Sequence, residues 1–271
     1  MSTAASPIGV FDSGIGGLTV VREVMRQLPR ERVIYFGDTA RVPYGPKSPD
    51  TVRRYSREIA AYLTSQDVKA IVVACNTATA HALPDLQREH GIPIIGVVEP
   101  GARAAVAATR RGELGVIGTA GTIGSGAYER AIRALAPDVD IVARPCPLFV
   151  PLVEEGWVDT QATRLIAREY LGPLQAAGID TLVLGCTHYP LLKPMLAHIL
   201  GPDVALIDSA HETAAETARV LESRGLLNDA SSTNESLTHR FIASDAADHF
   251  LRLGQRFLGS AIERVETLTL G

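Results

Sequence analysis

Two cysteines stand at matching points of a sequence that repeats itself once. Cys75 follows Ile71-Val72-Val73-Ala74 and precedes Asn76-Thr77; Cys186 follows Leu182-Val183-Leu184-Gly185 and precedes Thr187-His188, an offset of 111 from 75 to 186. Each thiol reads as ending a buried strand and opening a helix, so helix N-terminal amides are expected to lower its pKa toward the reactive thiolate. A free cysteine is more often an inert small hydrophobe, and it is the matched placement that argues otherwise. One thiolate suggests a nucleophile. Two at pseudo-symmetric positions suit inversion of a stereocentre, which needs a base on one face of a carbon and an acid on the other, with the roles exchanged in reverse.

Other reactive side chains collect just after apolar runs: Asp12 and Ser13, Asp38, Thr119 and Asp208. In open parallel sheets ligands bind at these carboxyl ends. Each residue also has a plainer use. Asp12 and Ser13 can cap a helix starting near Leu18, and Thr77 and Thr187 can cap likewise. His188 alone fits a hydrogen-bonded structural histidine, and Tyr44, between Pro43 and Gly45, fits a turn.

Several alternative chemistries lack their signatures. Gly14-Ile15-Gly16-Gly17-Leu18-Thr19 misses the third glycine of a dinucleotide fingerprint, and no second histidine follows His211-Glu212 at zincin spacing. The three cysteines, at 75, 146 and 186, form no C-x-x-C pair, so neither a disulfide scaffold nor a metal site is expected. Cys146, between two prolines, reads as packing. No lysine carries a signature for pyridoxal phosphate.

The elements that must position these residues alternate. Short apolar runs at Ile8 to Phe11, Val33 to Phe36, Ala70 to Ala74, Ile92 to Val98, Leu114 to Ile117, Val139 to Ala143, Thr181 to Leu184 and Val204 to Ile207 predict buried parallel strands. Amphipathic stretches such as Thr19 to Leu28, Thr51 to Ser65, Ala78 to His90, Ala127 to Leu135, Gln161 to Ala177 and Leu192 to Leu200 predict the helices between them. Gly9-Val10-Phe11-Asp12 is echoed by Gly115-Val116-Ile117-Gly118, so the repeat extends upstream of the cysteines. The expected object is an α/β protein of two similar lobes with mainly parallel sheets, related by a pseudo-twofold and facing each other across a cleft. The polar stretch Asn228 to Thr238 reads as a surface loop.

Composition narrows the partners. A net charge of −4 and a pI near 6.0 give no basic footprint for nucleic acid. Arg53, Arg54 and Arg57 read as the solvated face of a helix. Free cysteines point to a reducing, cytoplasmic compartment. No leader-like or membrane-length apolar segment is present in the sequence given.

The motifs Ile8-Gly9-Val10-Phe11-Asp12-Ser13-Gly14-Ile15-Gly16-Gly17-Leu18-Thr19-Val20, Tyr35-Phe36-Gly37-Asp38-Thr39, Val42-Pro43-Tyr44-Gly45, Ala74-Cys75-Asn76-Thr77-Ala78-Thr79 and Leu184-Gly185-Cys186-Thr187-His188-Tyr189-Pro190-Leu191 closely resemble the glutamate racemase family of the aspartate/glutamate racemase superfamily. The matches keep the family's order over nearly the whole chain. The resemblance implies cofactor-independent racemisation of glutamate, with Cys75 acting on the D and Cys186 on the L enantiomer. It places Asp12, Ser13, Asp38, Tyr44, Gly45, Asn76, Thr77, Thr187 and His188 at the substrate. Asp38 and Glu154 look like supporting carboxylates, with Glu155 the alternative to Glu154, and Asp12 and His188 look like auxiliaries of the thiols. It further implies one lobe from 1–97 plus 208–271, a second from 98–207, a homodimer by analogy, and D-glutamate supplied to bacterial peptidoglycan. The rivals are an aspartate racemase or other two-cysteine superfamily member, and a non-catalytic two-lobed protein that binds an amino acid. Some glutamate racemases also inhibit DNA gyrase, a property no residue here tests.

Overall fold

The computed structural model describes residues 3–228 and 237–270. Most of the stretch read as a surface loop, 229–236, lies outside them. The first half of the chain alternates strand and helix: β1 (Ile8–Asp12), α1 (Leu18–Gln27), β2 (Val33–Gly37), α2 (Pro49–Ser65), β3 (Ala70–Val73), α3 (Asn76–Glu89), β4 (Ile94–Gly96) and α4 (Val98–Ala108). The next part repeats the alternation with β5 (Glu113–Gly118), α5 (Ala120–Gly124), α6 (Ala127–Leu135), β6 (Asp140–Pro145), α7 (Phe149–Glu154), α8 (Gln161–Ala176), β7 (Thr181–Gly185), α9 (Lys193–Leu200) and β8 (Ala205–Asp208). The chain closes with α10 (Ser209–Ser223), β9 (Arg240–Ala243), α11 (Ala247–Leu258) and β10 (Glu266–Thr267).

These strands form two sheets, ordered β10-β9-β2-β1-β3-β4 and β6-β5-β7-β8, and every pairing is parallel. The expected two-lobed α/β architecture is borne out. Every residue of β1, β2, β3 and β7 is buried because helices cover both faces, which is why those strands read as unbroken apolar runs. After β4 the chain leaves the first sheet, builds the second, and returns with β9 beside β2.

The sequence repeat is a repeat of topology and register. The order β2-β1-β3-β4 recurs as β6-β5-β7-β8. Phe11 lies opposite Val73 as Ile117 lies opposite Leu184, and Ile71 opposite Ile94 as Leu182 lies opposite Leu206. The two cysteines therefore follow equivalent strands.

One strand is shorter than its apolar run suggests. The run Ile92 to Val98 holds only β4, since the chain turns after Gly96 and Val98 already belongs to α4, where Val98, Ala102 and Ala105 are buried. Continued apolarity there marks a helix face. The arginines of α2 are also more engaged than a solvated face requires: Arg57 pairs with Asp85 and Glu89 of α3, and Arg53 donates to the His81 carbonyl.

Candidate active site

Cys75 occupies the N-cap of α3, in extended backbone, and its Sγ accepts a hydrogen bond from the Ala78 amide at 3.4 Å. The helix amides expected from sequence are thus in place, yet the thiol is not acidified. Burial, reinforced by the negative charge of Asp12, pushes Cys75 up to about 12, and the Ala78 amide and the Ser13 hydroxyl only partly offset this. Asp12 is itself raised by burial, against the opposing pull of His188 and the amides of Gly17, Gly14 and Ser13. Removing that charge must favour thiolate. Asp12→Asn is expected to speed alkylation of Cys75 by iodoacetamide at pH 8 by about tenfold for each unit of pKa released. Peptide-resolved mass spectrometry measures it, and a rate equal to or below wild type rejects this account of the high pKa.

Cys186 departs from the expectation in another way. It does not open an α-helix: β7 ends at Gly185, Cys186 to His188 form a turn, and a 3₁₀ turn, Tyr189–Leu192, precedes α9. Pro190, the second residue of that 3₁₀ turn, can donate no amide. In place of helix amides, Cys186 has an imidazole. His188 Nδ1 lies 3.9 Å from Cys186 Sγ, and its Nε2 lies 3.0 Å from Glu154 Oε1 at the end of α7. Burial disfavours the imidazolium, but its contacts with Cys186 and Glu154 outweigh this and push His188 up to about 10. Glu154 is the carboxylate that meets the histidine; Glu155 is exposed.

The two thiols line one cavity of about 30 Å³ between the lobes, with Ser13, Val42, Pro43, Tyr44, Gly45, Asn76, Thr77, Thr119, Val150, Thr187 and His188 completing its wall. Such a volume admits little more than one or two water molecules. Larger hollows exist elsewhere, such as one of about 380 Å³ at the β4 edge, but they contain neither thiol.

Two polar atoms in this region stand out because no hydrogen-bond partner among the described residues satisfies them. The Asn76 side chain accepts from Tyr128 OH at 2.7 Å through Oδ1, while its Nδ2 has no hydrogen-bond partner. Asp12 accepts from the Gly14 amide through Oδ2, while its buried Oδ1 has none. A buried donor and a buried acceptor left open are costly unless a ligand completes them.

The plainer readings of several residues fail. The N-cap of α1 is Gly17, with no side-chain cap, so Asp12 and Ser13 do not serve there. Thr77 lies inside α3, and its hydroxyl sits 2.8 Å from that of Thr119 and 3.1 Å from that of Thr122, both in the second lobe. Tyr44 is buried against the cavity. Asp38, however, does not line the cavity. It lies beneath Tyr44, whose hydroxyl it accepts, with Arg41 and Ser244 on its remaining sites, so it supports the wall from behind. Asp12 and Glu154 likewise stand behind the lining. Cys146 is fully buried in the second lobe's core.

Sequence reading missed Thr122, Tyr128, Val42 and Val150, and it noted Thr119 only as a polar residue at a strand end. Thr119 does announce itself as the N-cap of α5, bonded to the Thr122 amide at 3.1 Å. Tyr128 gives no local signal, since its hydroxyl reaches Asn76 from the other lobe.

Two parallel-sheet lobes that bring one thiol each to a shared cavity lined by hydroxyl, amide and imidazole side chains define a class of protein suited to acid/base chemistry on both faces of one carbon. Comparison with known proteins agrees. Residues 8–217 match the family model described as Asp/Glu/Hydantoin racemase, and the chain belongs to that family. It is 55% identical over 263 residues to the glutamate racemase of Geobacter metallireducens, covering 97% of this chain and 96% of the relative. Among solved structures, a glutamate racemase isoform of Bacillus anthracis superposes with a TM-score of 0.91 at 43% identity, covering 98% of this chain and 97% of that one. The Francisella tularensis glutamate racemase in complex with D-glutamate gives 0.91 at 40% identity, covering 98% of each chain.

Proposed function

We propose that this chain interconverts L- and D-glutamate without a cofactor, Cys75 and Cys186 serving as base and acid on opposite faces of the α-carbon. The observation that carries the reading is the single cavity walled by both thiols, one from the end of each equivalent strand, with unsatisfied polar atoms beside it.

From D-glutamate, the Cys75 thiolate takes the α-proton and becomes the thiol; the electron pair stays on carbon, conjugated with the α-carboxylate. The Cys186 thiol then delivers its proton to the other face, leaving L-glutamate and a Cys186 thiolate. The L to D direction runs the same steps backwards. His188, with Glu154 fixing its ring through Nε2, places positive charge beside Cys186. The Asn76 amide, the hydroxyls of Ser13, Thr77 and Thr187 and the backbone at Gly45 hold carboxylates as neutral donors, which avoids over-stabilising the bound ground state. Asp12 supplies negative charge for the ammonium from behind the lining, and that cation in turn relieves the repulsion that adds to burial in keeping Cys75 protonated. A carbanion without a cofactor to absorb its charge needs a dry, preorganised site, which the closed lobes provide.

At least 50% identity to glutamate racemases over nearly the whole chain favours glutamate over aspartate. Both thiols at equivalent positions favour catalysis over binding, which needs neither. The reading places the protein in the bacterial cytoplasm, supplying D-glutamate for peptidoglycan; no helix among the described residues is long and apolar enough to cross a membrane. The test is incubation of purified protein with L- or D-glutamate in deuterated water without added cofactor. Racemisation accompanied by α-deuteration is expected. A requirement for pyridoxal phosphate, or turnover of aspartate in preference to glutamate, rejects the proposal.

A further inference from the structure

The cavity wall formed by Tyr44 and Gly45 belongs to a loop, and a cluster behind it has no part in the chemistry described so far. Asp38, fully buried, is the hub. It accepts from Arg41 Nε at 2.7 Å, from Ser244 Oγ at 2.9 Å and from Tyr44 OH. Arg41 also pairs with Glu58 of α2 through Nη1, and its guanidinium lies 4.1 Å above the ring of Tyr55. Tyr55 packs in turn on Tyr44, ring centroids 5.8 Å apart. Three separate parts of the first lobe thus converge on the Asp38–Arg41 pair: α2 on Arg41 through Glu58 and Tyr55, the residue after β9 on Asp38 through Ser244, and the loop itself.

The far side of the loop is held by the other lobe. The Gly121 amide donates to Gly45 O at 2.8 Å, and a β-carbon at Gly45 would lie 2.9 Å from Thr119. The loop is therefore pinned at Tyr44 to its own lobe and at Gly45 to the opposite one. Wherever the first pin sits decides where the second can meet its partner.

We propose that Arg41 is a positioning residue for the racemisation reaction: it orients Asp38 so that the Tyr44-Gly45 wall stands at the distance from Cys75 that bound glutamate requires. An arginine is needed because one planar fork must serve Asp38 and Glu58 together while stacking on Tyr55, a combination lysine cannot reproduce. Arg41 itself does not line the cavity. Its effect on substrate passes through Asp38 and Tyr44.

This proposal rests on the glutamate reading, so its test carries a readout independent of turnover. Arg41→Gln is expected to raise KM for both enantiomers by on the order of tenfold, with kcat changed less, because a displaced wall weakens binding before it removes either thiol. Arg41→Lys is expected to recover part of that loss, and Ser244→Ala, which removes one small contact to Asp38 from a different element, to shift KM in the same direction by less. Iodoacetamide labelling of the folded variants should show Cys75 reacting faster than in wild type while Cys146, buried outside the cavity, stays at its wild-type rate. An unchanged KM in Arg41→Gln overturns the proposal, and so does equal acceleration at Cys75 and Cys146, which marks general loosening. If wild type fails to racemise glutamate, the substrate assignment fails, while the labelling pattern still reports whether Arg41 sets the wall.

Discussion

Cys75→Ala and Cys186→Ala are each expected to lower racemisation by at least about 10³-fold, within the range that a positioned acid or base supplies. The two variants should differ in what they keep. With Cys186 gone, the Cys75 thiolate can still remove the proton of D-glutamate, and the best-placed proton source is the thiol just formed on the same face. That proton exchanges with solvent, so Cys186→Ala should slowly deuterate D-glutamate with its configuration retained and leave L-glutamate untouched. Cys75→Ala should do the converse. Chiral chromatography with mass spectrometry of the recovered amino acid separates exchange from inversion. Racemisation within tenfold of wild type in either variant removes that thiol from the mechanism. Equal exchange of both enantiomers in one variant would show that a single base reaches both faces.

The second large effect is expected at Gly16, which carries no functional group. A β-carbon there would lie 2.3 Å from Thr187 Oγ1 and 2.5 Å from His188 Nδ1, far inside van der Waals contact. Gly16 is in the first lobe, and its neighbours Thr187 and His188 follow β7 in the second, so the close approach is a property of the seam. Thr19 marks the same seam by donating to the Thr187 carbonyl at 3.2 Å. Gly16→Ala should accordingly leave both lobes folded but hold them apart, displacing His188 from Cys186 and admitting water. A displacement of about 1 Å at a catalytic group is enough for a loss on the order of 100-fold in kcat/KM. Thermal unfolding followed by circular dichroism should stay near wild type while turnover falls. Activity within threefold of wild type would show that the seam does not need this closeness.

Much of this arrangement was legible before the structure because buried parallel strands write themselves as continuous apolar runs. The paired cysteines were legible for a deeper reason: equivalent strands in equivalent registers preserve the spacing between a strand end and its residue. What surrounds each cysteine was not legible. Cys75-Asn76-Thr77 and Cys186-Thr187-His188 look alike as text, yet only the first starts an α-helix. The height of the Cys75 pKa was not legible because its largest cause is burial, a property of the finished fold. The choice between Glu154 and Glu155 turned on which side of a short helix faces His188, a matter of tertiary packing. Asp38 was recognised by its motif, but its partner Ser244 comes from the returning strand, where four residues, Arg240 to Ala243, give little pattern to read.

The unlike surroundings of the two thiols have a consequence for the balance between forward and reverse turnover. Mirror-image substrates have the same free energy in water, so the equilibrium constant between them is one, and kcat/KM must be identical in the two directions whatever the protein does. The imidazole beside Cys186 and the carboxylate beside Cys75 cannot make the enzyme favour one product. They can only divide the same efficiency differently, giving one enantiomer tight binding with slow turnover and the other the reverse. Which enantiomer saturates first is therefore a direct reading of how far two duplicated halves, still alike in strand order, have drifted apart in chemistry.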